Sequence, residues 1–447
     1  MVSSGELEGV DGTAGISADS TISIVQRGNL KTLEGALRKQ WRLGQNIVLC
    51  WSADERGVLV IFVPHYFLGN YCARLDDGKD NEVFIRELIS GQRRKRRKEL
   101  FAIAERLDTA PGFIKLDAPL VEEEPVIRGV EQLIKRYGLS YVSDRAVLLF
   151  DIADFALSTP FQQASQLNSL SYSLNSAYNK LLAKGIVVNF SRTTTGDGYY
   201  VWNRDLGPEA NRNLLFFMLL VIADNAAAQA VSRGNTVPVI RTGYHIGSHY
   251  ELYQAEGVNP TIHSYIVGDV TIELSRMLDL AMPGQILIGH FECRLPAAAE
   301  GMPELPGLVL APVFISHCGH TLATLSGVQL AGKSIARISC QLTGARDPAD
   351  RRAARRFIII DKHGLSRHAY NLETGIELDD TTLALGLDAT ALPGPVAEQP
   401  AAGDRRRAVH NSGGYTLSGF ADQALKQGEE LAVMLKRRRY VASINED

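Results

Sequence analysis

Three charged side chains carry the chemistry this sequence is equipped to do. Asp151 closes the apolar run of LLFDIADF, Asp197 sits between two glycines in TTTGDGYYVW, and Arg276 lies in GDVTIELSRM, shortly before AMPGQILIG. The apolar run reads as a buried strand and Asp197-Gly198 as the two-residue turn of a following hairpin, so two carboxylates are expected at one sheet edge. Facing carboxylates repel, and both resist ionisation unless a cation lies between them. Mg²⁺ prefers such hard oxygen donors, and a pair of such ions stabilises both the attacking and the leaving oxygen of a phosphoryl displacement. Arg276 is the candidate donor for charge developing on the phosphate. The set points to a 3′-hydroxyl attacking its own α-phosphate while pyrophosphate leaves. Backbone N–H groups in the turn from Ala153 to Ala156, which includes Phe155, are placed to cradle phosphate oxygens.

The elements around these residues must hold them in place. AVLLFDI is the buried strand, and Thr159-Pro160 supplies an N-cap and first position for a helix with Leu167, Leu170, Leu174, Tyr178 and Leu181 on one face. Strands VVNFSRTT and YYVW flank the turn. A helix over about 209–231 follows, then strands VPVIRTGYHIG and HSYIVG, a helix over 270–280 and strand QILIG. The order βαββαβ with further strands predicts an α+β fold whose core is a ferredoxin-like sheet covered by helices. This central domain is assigned to residues 144–342, with a last strand over 330–342.

On its amino-terminal side, 1–20 reads as a disordered head and 21–116 as a small α+β domain with a hairpin, IVLCWSADERGVLVIFV, and one long helix over 81–107. Residues 117–143 read as an acidic linker and coupling helix. On the carboxyl-terminal side, 343–387 reads as a hairpin extension turning at His363-Gly364. Residues 388–414, rich in proline, alanine and glycine, read as a flexible linker, and 415–447 as an amphipathic basic helix.

Bulk properties narrow the class. A chain of 447 residues with 45% apolar content can bury two or three cores. A formal charge of -3 argues against a protein that coats nucleic acid. Five scattered cysteines, odd in number, suit reduced thiols in a cytoplasmic setting. The longest apolar run, from Leu214 to Ala223, is about half of what a bilayer span needs and reads as a buried helix. The polar, acidic amino terminus lacks the pattern of a secretion signal.

From about Asp144 to Ile288 the chain resembles the catalytic domain of class III adenylate and guanylate cyclases. The resemblance rests on the strand ending Asp151-Ile152 ahead of Phe155, the Gly196-Asp197-Gly198 turn, the strand RTGYHIG, the Gly-Asp opening of the helix bearing Arg276, and PGQILIG. It implies that Asp151 and Asp197 bind two Mg²⁺ or Mn²⁺ ions per site, assisted by the Ile152 carbonyl. It implies that Arg276 stabilises the transition state from a partner subunit, in a head-to-tail homodimer with two composite sites.

The departures concern the base and sugar. Thr193 stands where the family has its adenine-reading lysine, Tyr265 where it has the partner aspartate, and Ile272 where an asparagine orients the ribose. Glu273 is the nearest substitute for that asparagine. Asp154 takes the place of a glycine beside the triphosphate, and Lys333 lies near the family's triphosphate-binding lysine. Thr193, Tyr265, Ile272, Lys333 and Phe155 are thus the candidate substrate contacts. Without the lysine and aspartate pair, adenine preference should weaken sharply. The base stays open, with ATP or GTP ranked ahead of the pyrimidine triphosphates used by the pyrimidine cyclases of phage defence.

Other readings compete. Ile272 and Asp154 favour a weakened, nucleotide-binding regulatory dimer, and a pure interaction scaffold built on the basic segments is a third possibility. His245 in RTGYHIG reads as a packed core residue. His317, Cys318 and His320 lack a fourth ligand at suitable spacing and read as loop residues, not zinc ligands. The run Arg93 to Lys98 reads as the solvated face of the long helix.

Overall fold

The computed structural model describes residues 22–41, 46–74, 80–255, 262–297, 307–343, 356–360, 365–387 and 414–416. They form two compact units. One comprises Met1–Val142 with Tyr250–Tyr265, the other Ser143–His249 with Ile266–Asp447.

The first unit holds α1 (Ile24–Trp41), β1 (Asn46–Asp54), β2 (Gly57–Pro64), α2 (Phe67–Cys72), α3 (Asn81–Ser90), α4 (Arg97–Arg106), β3 (Gly112–Lys115) and α5 (Glu124–Arg136). Its strands form an antiparallel sheet in the order β1-β2-β3. Both faces are covered, which is why the hairpin reads as continuous apolar runs. Leu33, Leu37, Val130 and Ile134 pack with Val48, Trp51 and Val60 on one face, and Ile85, Leu88 and Leu100 with Leu49 and Ile61 on the other. The helix expected to couple domains is therefore α5, built into this unit's own core.

The single long helix expected over 81–107 is two helices. α3 stops at Gly91, and the next residues run beside β1, where Trp51 N–H donates to Arg93 O (3.0 Å) and Lys95 N–H to Trp51 O (2.8 Å). Arg93, expected on a solvated face, is fully buried. Its guanidinium donates to the carbonyls of Val48 (3.2 Å) and Leu49 (2.9 Å) and to Ser140 Oγ (3.2 Å). Burial lowers its pKa to about 10, with Glu131 opposing that shift. A run of like charges thus hides one member that the core requires, which charge patterning alone does not reveal.

The second unit takes in β4 (Leu139–Ile152) from Ser143 onward, α6 (Pro160–Ala183), β5 (Phe190–Thr194), β6 (Gly198–Asn203), α7 (Pro208–Val231), β7 (Ile240–Ala255) as far as His249, β8 (Ile262–Val267) from Ile266, α8 (Asp269–Asp279) and β9 (Ile286–Gly289). Next come β10 (Glu292–Cys293), β11 (Val309–Leu310), α9 (Ala311–Thr321), β12 (Gln329–Leu330), β13 (Lys333–Thr343), β14 (Arg356–Ile360), β15 (Ser366–Leu378), β16 (Thr382–Leu385) and β17 (Gly414–Thr416). The main sheet is mixed and ordered β12-β13-β15-β9-β7-β4-β6-β5, with β7 and β9 parallel. β8 pairs β7, β14 and β16 pair β15, and β17 pairs β14.

Two-residue periodicity along β4 explains both its apolar character and the direction of its last side chain. Leu148, Phe150 and Ile152 join the core under α6 and α7, while Val147 and Leu149 join the core under α8. Asp151 follows in the second series. α7 is long and apolar enough to span a membrane, and 61% of its most apolar stretch is buried inside the protein. Leu214 to Ala223 are buried throughout, so that run makes a core helix.

Two further expectations change here. β15 lies between β13 and β9, pairing Tyr370 with Ile288, so the segment read as an appended hairpin is part of the main sheet. Its turn at His363-Gly364 lies outside the described residues. His317, Cys318 and His320 stand on α9 instead of a loop, with His317 and Cys318 buried. The expected head at 1–20, the linker at 388–414 and the basic helix at 415–447 lie outside the described residues, save for β17.

Candidate active site

Asp151 and Asp197 come together at the end of β4. The last pair of the β4–β6 ladder is Asp151 with Gly198, and Ile152 N–H then donates to Asp197 O (2.9 Å). The hairpin turn is shifted one residue from the expected position. Thr195 N–H bonds Gly198 O (3.0 Å), so Gly196 and Asp197 are the central pair, and Gly196 supplies the positive φ of 102° such a turn requires. Gly198 has a different task. A Cβ there would stand 1.9 Å from Phe150 O, so only glycine lets β6 approach β4 this closely.

The two acids line one cleft of about 650 Å³. Its walls also include Thr193, Thr194 and Thr195 of the hairpin, Tyr200 of β6, Arg241 of β7, and Ser275 and Asp279 of α8. Thr195 Oγ1 donates to Asp197 Oδ1 (3.1 Å). Tyr200 Oη donates to the Thr271 carbonyl (2.9 Å), which ties α8 to the sheet, and burial pushes its pKa up to about 12.

Asp151 is largely buried and bonded to Arg241, whose Nε donates to Oδ2 at 2.6 Å, with Nη2 of the same guanidinium also on that oxygen. Burial raises the Asp151 pKa above the usual carboxylate value, Arg241 opposes the rise, and the charges of Asp197 and Asp279 add to it. Among the described residues no group of three or more His, Cys, Asp or Glu side chains is arranged to hold a metal ion. Asp151 and Asp197 are nonetheless hard oxygen donors lining one cleft, a pair whose chemistry fits Mg²⁺ or Mn²⁺.

The other expected residues divide. Thr193 lines the cleft. Arg276 stands next to it, with Nη1 on Asp279 Oδ2 at 2.9 Å. Phe155 packs against the hydrophobic core, and Ala153 N–H is taken by Val239 O (2.9 Å), which leaves Asp154 to Ala156 for any phosphate cradle. Ile272 projects to solvent from α8, and neighbouring Glu273 is paired with Arg367 instead of standing in for the asparagine. Tyr265 precedes Ile266 on β8 and clusters with the first unit, while Ile266 is the residue on the cleft wall. Lys333, at the start of β13, pairs with Asp380, and β13 is separated from β4 by three strands in the sheet order. His245 is fully packed, and burial lowers its pKa to about 4. Sequence reasoning passed over Arg241 and Asp279. Arg241 carried a signal, a cation opening an otherwise buried strand. Asp279 had none until α8 was placed.

No protein-family model matches this chain, and no curated protein does. Among solved structures it is similar to the guanylate cyclase domain of RhGC from Catenaria anguillulae in complex with GTP, at 14% identity over 52% of this chain and 97% of that one, TM-score 0.31. It is also similar to the catalytic core of a rhodopsin-guanylyl cyclase with converted specificity in complex with ATPαS (15%, 52% and 97%, TM-score 0.30). A third is the adenylyl cyclase CyaB from P. aeruginosa (14%, 52% and 95%, TM-score 0.29).

Proposed function

We propose that this chain is a nucleotidyl cyclase, converting a ribonucleoside triphosphate to its 3′,5′-cyclic nucleotide and pyrophosphate. The observation that carries the reading is the delivery of Asp151 and Asp197 to one cleft by the end of β4 and the adjoining turn. The strand order β7-β4-β6-β5, with α6 and α7 as the connecting helices, supports a ferredoxin-like core for this site.

Asp151, Asp197 and the Ile152 carbonyl would hold two Mg²⁺ or Mn²⁺ ions, which when bound supply Lewis-acid stabilisation to the phosphoryl oxygens. Arg241 keeps Asp151 oriented and favours its ionised form. The Thr195 hydroxyl fixes Asp197 at the turn. Arg276 is the cation for charge developing on the phosphate, supplied in a composite site by the second copy of the chain. A homodimer with composite sites gives Lys333 a route to a second cleft, since within one chain it is remote from the carboxylates. The base is read by Thr193 and its neighbours, and its identity is part of the test.

The experiment is incubation of purified protein with each of ATP, GTP, CTP and UTP in Mn²⁺, with products separated by mass. A cyclic monophosphate from wild type and none from Asp197→Asn, at equal thermal stability, is the expected outcome. Wild-type yield from Asp197→Asn refutes the assignment. Triphosphate binding without product from wild type instead supports the regulatory, non-catalytic reading.

A further inference from the structure

The outer surface of α6 has a composition that solvent alone does not explain. Charged residues make up 22% of the chain, yet the stretch from Phe155 to Asn179 contains no Asp, Glu, Lys, Arg or His. The inner face of the helix is accounted for, because Leu170, Leu174, Ala177 and Leu181 pack in the core. Its outer face is a stripe at helical spacing: Phe161, Asn168, Tyr172, Asn175, Asn179 and Leu182, all exposed. The large members are Phe161 at 77% exposure, Tyr172 at 69% and Leu182 at 46%. A solvated surface is ordinarily about 25–35% charged, whereas loss of charge and enrichment in aromatic side chains mark the centre of an interface. The nearest charges are engaged elsewhere. Lys180 pairs with Asp224 of α7, Lys184 donates to the Ser326 carbonyl, and Arg192 of β5 donates to Ser171 Oγ (2.8 Å) at the flank, with its guanidinium over the Tyr199 ring.

The order of the stripe identifies its occupant. Tyr172 stands about three turns from Phe161 in one direction and from Leu182 in the other, with an asparagine about one turn away on each side, Asn168 and Asn175. The pattern reads nearly the same both ways. An isologous contact requires this, because residue i of one copy meets residue j of the other while j meets i. Two copies laid antiparallel about Tyr172 bring the two tyrosine rings together at the axis and set Phe161 of each copy beside Leu182 of the other. Amide side chains donate and accept at once, so Asn168 of one copy can bond Asn175 of the other. A charged residue near the axis would instead meet its own like, at a cost of several kcal/mol. Freedom from charge is therefore what a self-pairing surface needs. The helix offers a strip about 36 Å by 10 Å, about half of the ~800 Å² that each side of an ordinary interface buries, so the contact is weak and depends on concentration. We propose that the outer stripe of α6 is a docking surface for a second copy of this chain. α6 covers the side of the sheet opposite α8 and the cleft, so this contact is separate from a composite catalytic pairing and does not rest on the cyclase reading.

The test is sedimentation velocity of the full chain over about 1–100 μM, without nucleotide. The wild-type mass should rise with concentration. Tyr172→Asp sets two carboxylates at the axis and should hold the mass at no more than about half of the wild-type plateau, whereas Tyr172→Phe should match wild type. Because Tyr172 is exposed, all three proteins should melt within about 2 °C of one another, which separates loss of association from loss of folding. Cross-linking reads the register. With a short bis-maleimide and wild type as the control for the native cysteines, Tyr172→Cys should link to itself across the axis. A mixture of Phe161→Cys and Leu182→Cys chains should link to each other more than either does alone. Equal masses for wild type and Tyr172→Asp at every concentration overturn the proposal, as does a failure of Tyr172→Cys to cross-link above the control. Adsorption of wild type to phosphatidylcholine or phosphatidylserine vesicles that Tyr172→Asp abolishes would assign the stripe to a lipid surface and overturn it as well.

Discussion

Replacing Arg241 with methionine should expose what the cleft costs the fold. The change keeps the aliphatic stem and deletes the guanidinium that bonds Asp151. Removing one partner of a fully buried ion pair costs about 3–5 kcal/mol, because the other charge is left without compensation. Here the side chains retain 25% and 14% exposure, so water reaches both, and about 2 kcal/mol is the better figure. For a unit of this size that corresponds to a fall in Tm of about 4–8 °C near neutral pH.

The pH dependence has a definite sign. The folded state already holds the Asp151 proton more tightly than the unfolded chain, whose carboxyl titrates near 3.8. The stability this group contributes is therefore full below that value and is lost as pH rises through the elevated folded pKa. Arg241→Met raises the folded pKa further. The gap between variant and wild type should be widest near pH 8 and narrower at acid pH, as Asp151 takes up a proton in the variant. Millimolar Mn²⁺ should narrow the gap near pH 8, since the variant's Asp151 is released from Arg241 and binds the cation more tightly than wild type does, and binding to the folded form alone stabilises it by ~3 kcal/mol at 100 times its Kd. Thermal unfolding followed by circular dichroism, at both pH values with and without Mn²⁺, reads all of this without requiring turnover. Equal melting temperatures under every condition would refute the view that Asp151 is a strained carboxylate held by Arg241 for a cation.

Two further substitutions probe the framework. Gly198→Ala places a Cβ against Phe150 O, so the hairpin must part from β4, and a loss of about 3 kcal/mol or more together with loss of Mn²⁺-dependent stabilisation is expected in a denaturant titration. Arg93→Met strips the carbonyls of Val48 and Leu49 of a buried donor, and each orphaned acceptor costs about 1–3 kcal/mol. Hydrogen exchange should therefore show faster opening of β1 and β2, and unchanged protection there would refute the role given to Arg93.

Sequence alone determined the parts whose signals are local. Strand-final Asp151, the glycine-flanked Asp197 and the capped helix after Thr159-Pro160 each depend on a few neighbouring residues, and all appear close to where their patterns placed them. Even the error in the turn was one residue, because Gly196 and Gly198 both satisfy a turn rule and only the β4 contact shows which glycine serves which purpose. Tertiary structure decided what depends on distant partners. Arg93 became a core cation because β1 and β4 surround it with acceptors, and β15 entered the main sheet because β9 offered an edge. Arg241 met Asp151 across 90 residues of chain, and Asp279 reached the cleft only once α8 lay over the sheet. Local propensity is written over a few residues and can be read there, whereas burial and charge pairing belong to the packed whole, so the acids could be found in the sequence but not the groups that hold them.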